Sequence, residues 1–172
     1  MNIAIKKTYG FFLLPLLLLT QSCGIYSFTG ASIPPEMKTV SVQFFENNAP
    51  LVVPSLSQDF TEALKERVRN QTSLSMVRTD ADANFEGRIT DYSIKPTAIT
   101  GNSIAAQNRL TITVSVKFTN TVKPELSFEQ SFSRFKDFSL SNGSIESQQN
   151  GLIRDINQML TEDIFNRAFA NW

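Results

Sequence analysis

Residues 109–120 alternate without a break: Leu110, Ile112, Val114, Val116 and Phe118 stand between Thr111, Thr113, Ser115, Lys117 and Thr119. Successive side chains of an extended chain point to opposite sides, so a period of two makes one apolar face and one Thr/Ser-rich face. A helix with this pattern would scatter its apolar residues around the whole cylinder. A long strand of this kind belongs in an antiparallel sheet with one face on the core and the other in water. Its apolar face needs a cover, and the rest of the chain has to supply it.

Two segments have the period for that task. In residues 55–70, Leu56, Phe60, Ala63, Leu64 and Val68 recur at helical spacing, with Glu62, Lys65, Glu66 and Arg69 on the other side. Ser55 followed by Gln58 fits a capping box at the start of that helix. In residues 145–169, Leu152, Ile156, Leu160, Ile164 and Ala168 form an i, i+4 row, which Ile153, Met159 and Phe165 widen. The remaining segments read as strands. Residues 38–45 (KTVSVQFF) place Val40, Val42 and Phe44 on a buried face against Thr39, Ser41 and Gln43, and Glu46-Asn47-Asn48-Ala49-Pro50 ends the strand. Residues 74–79 form a short second strand, and Asp80-Ala81-Asp82 a turn. Residues 83–94 form a third strand whose apolar phase changes between Ile89 and Tyr92, which predicts a bulge or a strong twist. A loop follows, bracketed by Lys95-Pro96 and Gly101-Asn102. Residues 126–138, with Phe128, Phe132, Phe135 and Phe138, make the fifth strand.

The expected order is β-α-β-β-β-β-α. A β-α-β opening is a right-handed parallel crossover, and three later strands form a meander. Two singly striped helices should cover the same sheet face, giving an α+β two-layer sandwich with a mixed sheet of four to five strands. The other face of the sheet stays polar and open.

The N-terminus decides where such a domain would work. Lys6 and Lys7 precede an apolar run over residues 11–19, broken only by Pro15, and then Thr20, Gln21, Ser22 and Cys23. That is the layout of a secretory signal. The run is far shorter than the roughly 20 residues a spanning helix needs. Cys23 is the only cysteine, so no internal disulfide is possible. Its position at the end of the run resembles a lipobox, in which the thiol is acylated and the chain is cut just before it, although Thr20 stands where Leu is usual. The alternatives are a free thiol after an ordinary signal, or an uncleaved signal anchor. The expected organisation is a signal peptide over residues 1–22, a lipidated tether over 23–37 and one α+β domain over 38–172. A tether of this length extends at most about 50 Å, which keeps the domain close to its membrane.

Removing residues 1–22 takes two lysines from the 16 basic side chains, leaving 14 against 16 acidic ones, a formal charge of −2. Nucleic-acid binding would need a clear basic excess. The chain has no histidine, which removes the usual general base and the commonest metal ligand. There is no G-x-S-x-G elbow, no phosphate loop and no metal-ligand spacing, so no catalytic residue, metal or cofactor is assigned. Asp80 and Asp82 read as turn residues, and Glu62 and Glu66, interleaved with Lys65 and Arg69, as a solvated helix face. What remains is the polar sheet face, with Arg88, Thr90, Arg109, Thr111, Thr113, Ser115 and Lys117. It is either an ordinary wet face or a surface that meets a polar partner such as the lumen of a β-barrel.

The start of the expected mature chain, Cys23-Gly24-Ile25-Tyr26-Ser27-Phe28-Thr29-Gly30 and then Ser32-Ile33-Pro34-Pro35, resembles the lipopolysaccharide-assembly lipoprotein family (LptE) in the form found in the Bacteroidota. The segment KTVSVQFFENNAP and the order of elements are also similar to that family. The resemblance implies a non-enzymatic lipoprotein on the periplasmic side of the outer membrane. It implies that the domain plugs a β-barrel translocon (LptD) and supports lipopolysaccharide insertion into the outer leaflet, with lipopolysaccharide itself a possible ligand. Only Cys23 carries over residue by residue. The residues after it include no Asp and no acidic run, as expected for that location. Two other functions fit the same features: a lipoprotein adaptor of another envelope machine, such as a transporter or cell-wall synthase accessory, and a lipid carrier, which would need a closed apolar cavity.

Overall fold

A computed structural model of the chain describes residues 33–51, 53–97 and 107–170. The signal segment, Cys23 and most of the tether lie outside the described residues, as do Gly101 and Asn102. The alternating segment becomes β5 (Gln107–Asn120), which buries Leu110, Ile112, Val114, Val116 and Phe118 and leaves Thr111, Thr113 and Ser115 half-exposed. It is paired antiparallel with β4 (Ala83–Pro96) on one side and β6 (Phe128–Ser139) on the other. Strand β1 (Thr39–Val42) runs parallel to β4, and β3 (Ser75–Met76) runs parallel to β1 on its far side. Helix α1 (Leu56–Gln71) falls between β1 and β3 in the chain, so the opening is the parallel β-α-β unit expected. A sixth, two-residue strand, β2 (Glu46–Asn47), pairs parallel with β4 at Arg88 and Ile89, within the segment expected to end the first strand. The sheet order is β3-β1-β4-β5-β6. Helix α2 (Ile145–Phe169) packs on β5 and β6, α1 packs on β1 and β2, and the helices pack on each other. The fold is the expected two-layer α+β sandwich, with one more strand.

Strand β4 keeps its apolar side on the core by inserting a residue. Ile89 faces Val114 and Asp91 faces Thr113, so Thr90 is the extra residue of a bulge. Without it Ile89 and Tyr92 would lie on opposite faces; with it both are buried.

The end of the first expected strand needs a correction. Phe44 is 59% exposed, and Phe45 is fully buried in its place. Pairing within β1 stops at Val42 opposite Phe85, the Gln43 amide donates to the Phe85 carbonyl, and pairing resumes at Glu46 opposite Arg88, so this strand carries one residue more than β4 over the interval. That extra residue shifts the alternation and turns Phe45 inward, where its ring meets Phe60 edge-on at 5.1 Å. Gly87 makes room for it: a Cβ there would stand 2.5 Å from the Phe45 ring and 2.1 Å from the Ser115 carbonyl oxygen. Ser41, expected on the open face, is fully buried and hydrogen-bonded to the Asn84 side chain.

The capping box at Ser55 does not form. Ser55 is already helical (φ −83°, ψ −16°) and its hydroxyl makes no cap bond. The Leu56 amide is bonded to the Val53 carbonyl at 3.2 Å, so the turn begins earlier than the motif requires. Helix α2 is capped by Ser144, whose hydroxyl accepts from the Ser147 amide at 3.4 Å.

The core between the layers is rich in phenylalanine. Phe118 lies 4.8 Å from Phe85, 5.4 Å from Phe128 and 5.6 Å from Phe169 by ring centroid, so the last turn of α2 closes over the ends of β4, β5 and β6. Each such ring contributes about 1.5–3 kcal/mol on burial. Ile153, Ile156, Leu160, Ile164 and Phe165 of α2 are buried, and Leu152 is half-buried against them. At the β6 edge two ion pairs continue the contact: Arg134 grips Asp163 at 2.6 Å and Lys136 meets Asp155 at 3.1 Å. Met37 is buried as well, so the packed domain reaches back into the last residue of the expected tether.

Candidate functional site

The candidate surface is the open side of the sheet. The β5 residues Arg109, Thr111, Thr113, Ser115 and Lys117 project from it together, as their spacing requires. Register adds residues that sequence reading did not place there. Glu86, Asp91 and Ser93 of β4 join the expected Arg88 on one side, and Glu129, Ser131, Ser133, Phe135 and Asp137 of β6 face them from the other. None of these carries a local signal; only pairing to β5 reveals them.

Charge on this face is balanced in place. The Arg109 guanidinium forks onto the Asp137 carboxylate at 2.7 and 2.9 Å. That hydrogen bond raises the Arg109 pKa and holds Asp137 below the usual carboxylate range. Arg109 also lies 3.6 Å from the centroid of the Phe135 ring, which is 47% exposed. Lys117 approaches Glu86 at 3.8 Å. The hydroxyls of Thr113 and Ser133 are bonded at 2.9 Å across the β5–β6 pair. Thr90 does not belong fully to the surface: as the bulge residue it donates to the Thr113 carbonyl at 3.3 Å. Arg88 is exposed and makes no hydrogen bond or ion pair among the described residues. It borders a shallow hollow of about 340 Å³, together with Phe44, Glu46, Ser115, Lys117 and Glu129.

Asp82, expected as a turn residue, ties the sheet together at one end. One carboxylate oxygen accepts from the Lys38 amide at 2.8 Å and from the Thr39 amide and hydroxyl at 2.9 Å each. These bonds, the Lys38 amide foremost, lower its pKa. Asp80 takes the left-handed conformation of a tight turn (φ 54°).

With strands of up to 14 residues, the three long strands present a face about 46 by 14 Å, roughly 650 Å². A standard protein interface buries about 800 Å² per partner. The geometry defines an α+β domain whose helices cover one side of a mixed sheet and whose other side is an open, hydroxyl-rich, charge-balanced face.

Comparison with known proteins places that class. The sequence profile of the LptE family, described as lipopolysaccharide-assembly, matches residues 37–168. The chain belongs to this family, a non-catalytic family of envelope lipoproteins. The fold is similar to a minor lipoprotein from Acinetobacter baumannii, with 14% identity over 76% of this chain and 91% of that one and a TM-score of 0.50. It is also similar to the hypothetical protein CT253 from Chlamydia trachomatis, with 12% identity over 78% and 99% of the two chains and a TM-score of 0.53. At these identities the two structures speak for the fold alone. No curated protein sequence matches the chain.

Proposed function

We propose that this lipoprotein is anchored through Cys23 to the periplasmic leaflet of the outer membrane. There it plugs and helps assemble the β-barrel lipopolysaccharide translocon, LptD, and so supports lipopolysaccharide insertion into the outer leaflet. The observation that carries the reading is the open face of β4, β5 and β6: Thr111, Thr113, Ser115, Ser131 and Ser133 at its centre, with charges paired at Arg109–Asp137 and Lys117–Glu86. A barrel lumen is lined by alternate polar strand residues. A hydroxyl-rich sheet can meet it through direct and water-bridged hydrogen bonds, without leaving a sticky patch on the unbound protein.

The sheet alone offers less area than an obligate contact of over about 2,000 Å² uses, so loops join it and one substitution should do little. Thr113→Ala should leave the complex intact. Thr113→Glu with Ser115→Glu buries two unpaired charges against the wall and should abolish co-purification with the barrel, while the free domain keeps its fold. Retention of wild-type yield by the double variant would move the interface away from β5. Cys23→Ala should yield a chain without acyl groups, read by mass spectrometry of the mature N-terminus; an unmodified wild-type chain starting elsewhere would remove the anchor.

A further inference from the structure

The sheet order leaves β3 and β6 at its two ends, and they differ in length. Strand β3 is two residues long and offers almost nothing to pair with. Strand β6 has 12 residues, contains no proline and pairs with β5 without a register shift. An exposed edge strand presents unpaired N–H and C=O groups, and folded proteins usually blunt it with short length, a proline, a bulge or charges. The first three devices are missing from β6. Of its charges, Arg134 and Lys136 are held by Asp163 and Asp155 of α2, and Asp137 by Arg109. Only Glu129 of this strand makes no ion pair among the described residues.

The ladder shows which groups are open. The Gln107 carbonyl accepts from the Thr97 amide, on the β4 side. Residues of a central antiparallel strand turn to its two neighbours alternately. Odd-numbered residues of β5 therefore bond β4, and even-numbered ones bond β6 through its own even-numbered residues, Phe128 to Phe138. The residues between, Glu129, Ser131, Ser133, Phe135 and Asp137, turn their N–H and C=O groups out of the sheet. All five are exposed. These backbone groups have no hydrogen-bond partner among the described residues. The next outward carbonyl shows the direction: that of Ser139 accepts from the Gln148 side chain at 3.1 Å.

We propose that the β6 edge is a docking site for an extended segment of a partner protein, which joins the sheet as a further antiparallel strand. Another backbone supplies donors and acceptors at the spacing of these residues, about 6.8 Å from one outward pair to the next. Side chains select the segment. Glu86, Lys117 and Glu129 stand in register across β4, β5 and β6, so this row runs acid, base, acid and ends on an acid at the edge. A lysine or arginine in the added strand continues the alternation. Phe135 lies on the same face, six residues on, with Arg109 over its ring and 47% of its surface exposed. It favours an aromatic neighbour across the strands. The segment therefore carries an aromatic residue opposite Phe135 and, six positions later, a cation opposite Glu129. A second copy of this chain fits less well, because two β6 edges paired over their full length would set Glu129 of each against Asp137 of the other. The inference stands on the sheet edge and does not depend on the barrel reading.

The test titrates the full lipoprotein in neutral detergent with an acetylated, amidated nonapeptide, Thr-Thr-Tyr-Thr-Thr-Val-Thr-Thr-Lys, whose tyrosine and lysine would stand opposite Phe135 and Glu129. Calorimetry should show saturable binding. N-methylation of its third, fifth and seventh residues removes N–H groups that face β6 and should weaken binding by about tenfold or more. N-methylation of the second, fourth and sixth, which face away, should leave it nearly unchanged. Glu129→Lys should weaken binding, and a peptide ending in glutamate should restore it. Ser131→Pro removes one outward N–H and no bond to β5, so it should melt close to wild type and bind about tenfold more weakly. If that variant fails to fold, the methylated peptides, which leave the protein untouched, decide alone. The proposal is overturned by absent or non-saturable binding, by equal binding of the two methylated peptides, or by no rescue of Glu129→Lys. It is also overturned if the protein alone forms a dimer that Ser131→Pro dissolves, since the occupant is then a second copy.

Discussion

The two faces of β5 come from one run of residues and have opposite fates. Leu110, Ile112, Val114, Val116 and Phe118 are sealed under α2 with the phenylalanine cluster, whereas Arg109, Thr111, Thr113, Ser115 and Lys117 meet solvent and one another. The helix side holds the domain together, because burial of apolar area is the main favourable term in folding. The open side contributes little to stability, since exposed ion pairs such as Arg109–Asp137 are each worth only about 0–1 kcal/mol. Residues on that side are therefore free to be chosen for contact with something else. The contrast also shows why a polar sheet face is compatible with a stable domain: the stability lies one residue away, on the other side of the same strand.

Substitutions can break that contrast in graded steps. The largest effect is expected on the covered side. Ile156→Ala removes a fully buried side chain and should cost about 2–5 kcal/mol in chemical denaturation. A cost near zero would mean that α2 does not sit on the sheet. Next comes the Asp82 tie. Its pKa is lowered in the folded state, so its contribution is present above the unfolded value near 4 and is lost as pH falls through the folded value. Melting temperature should decline as pH drops below about 4, and Asp82→Asn should flatten that part of the curve while lowering the plateau above it. An unchanged acid limb in Asp82→Asn would assign the effect to other carboxylates, Asp137 first. The smallest effect is expected at Glu62→Ala, on an exposed position of α1, which should change stability by under about 0.5 kcal/mol. If it matched Ile156→Ala, the helix faces would be misassigned.

How much was legible in the sequence depended on the range of the signal. Wherever a period repeated over many residues, as in β5 and α2, element type and buried face both followed; α2 begins and ends where the periodicity places it. The phase change in β4 was legible for the same reason, because apolar residues out of step can share a face only through a bulge. Short segments failed. Phe44 and Phe45 are adjacent and chemically identical, and only the extra residue between Val42 and Glu46 and the space above Gly87 decide which is buried. Ser55 and Gln58 had the letters of a capping box but not the backbone for it. The candidate surface was half legible: the β5 residues announced themselves by alternation, whereas Phe135, Asp137 and Ser133 joined them through antiparallel register.

By itself, then, the sequence determined the layers. Periodicity is local, and a strand with one apolar face next to two striped helices has essentially one way to bury its apolar surface. It also carried two linear features, the apolar run over residues 11–19 and the single Cys23, on which the proposed export and anchoring rest. Tertiary structure alone decided which charges neutralise each other and that Asp82 ties β1 in place. Those facts depend on distances between residues far apart in the chain, such as the 28 positions separating Arg109 from Asp137. No local pattern encodes such distances; they exist only once the backbone has been folded and the hydrogen bonds compete for partners.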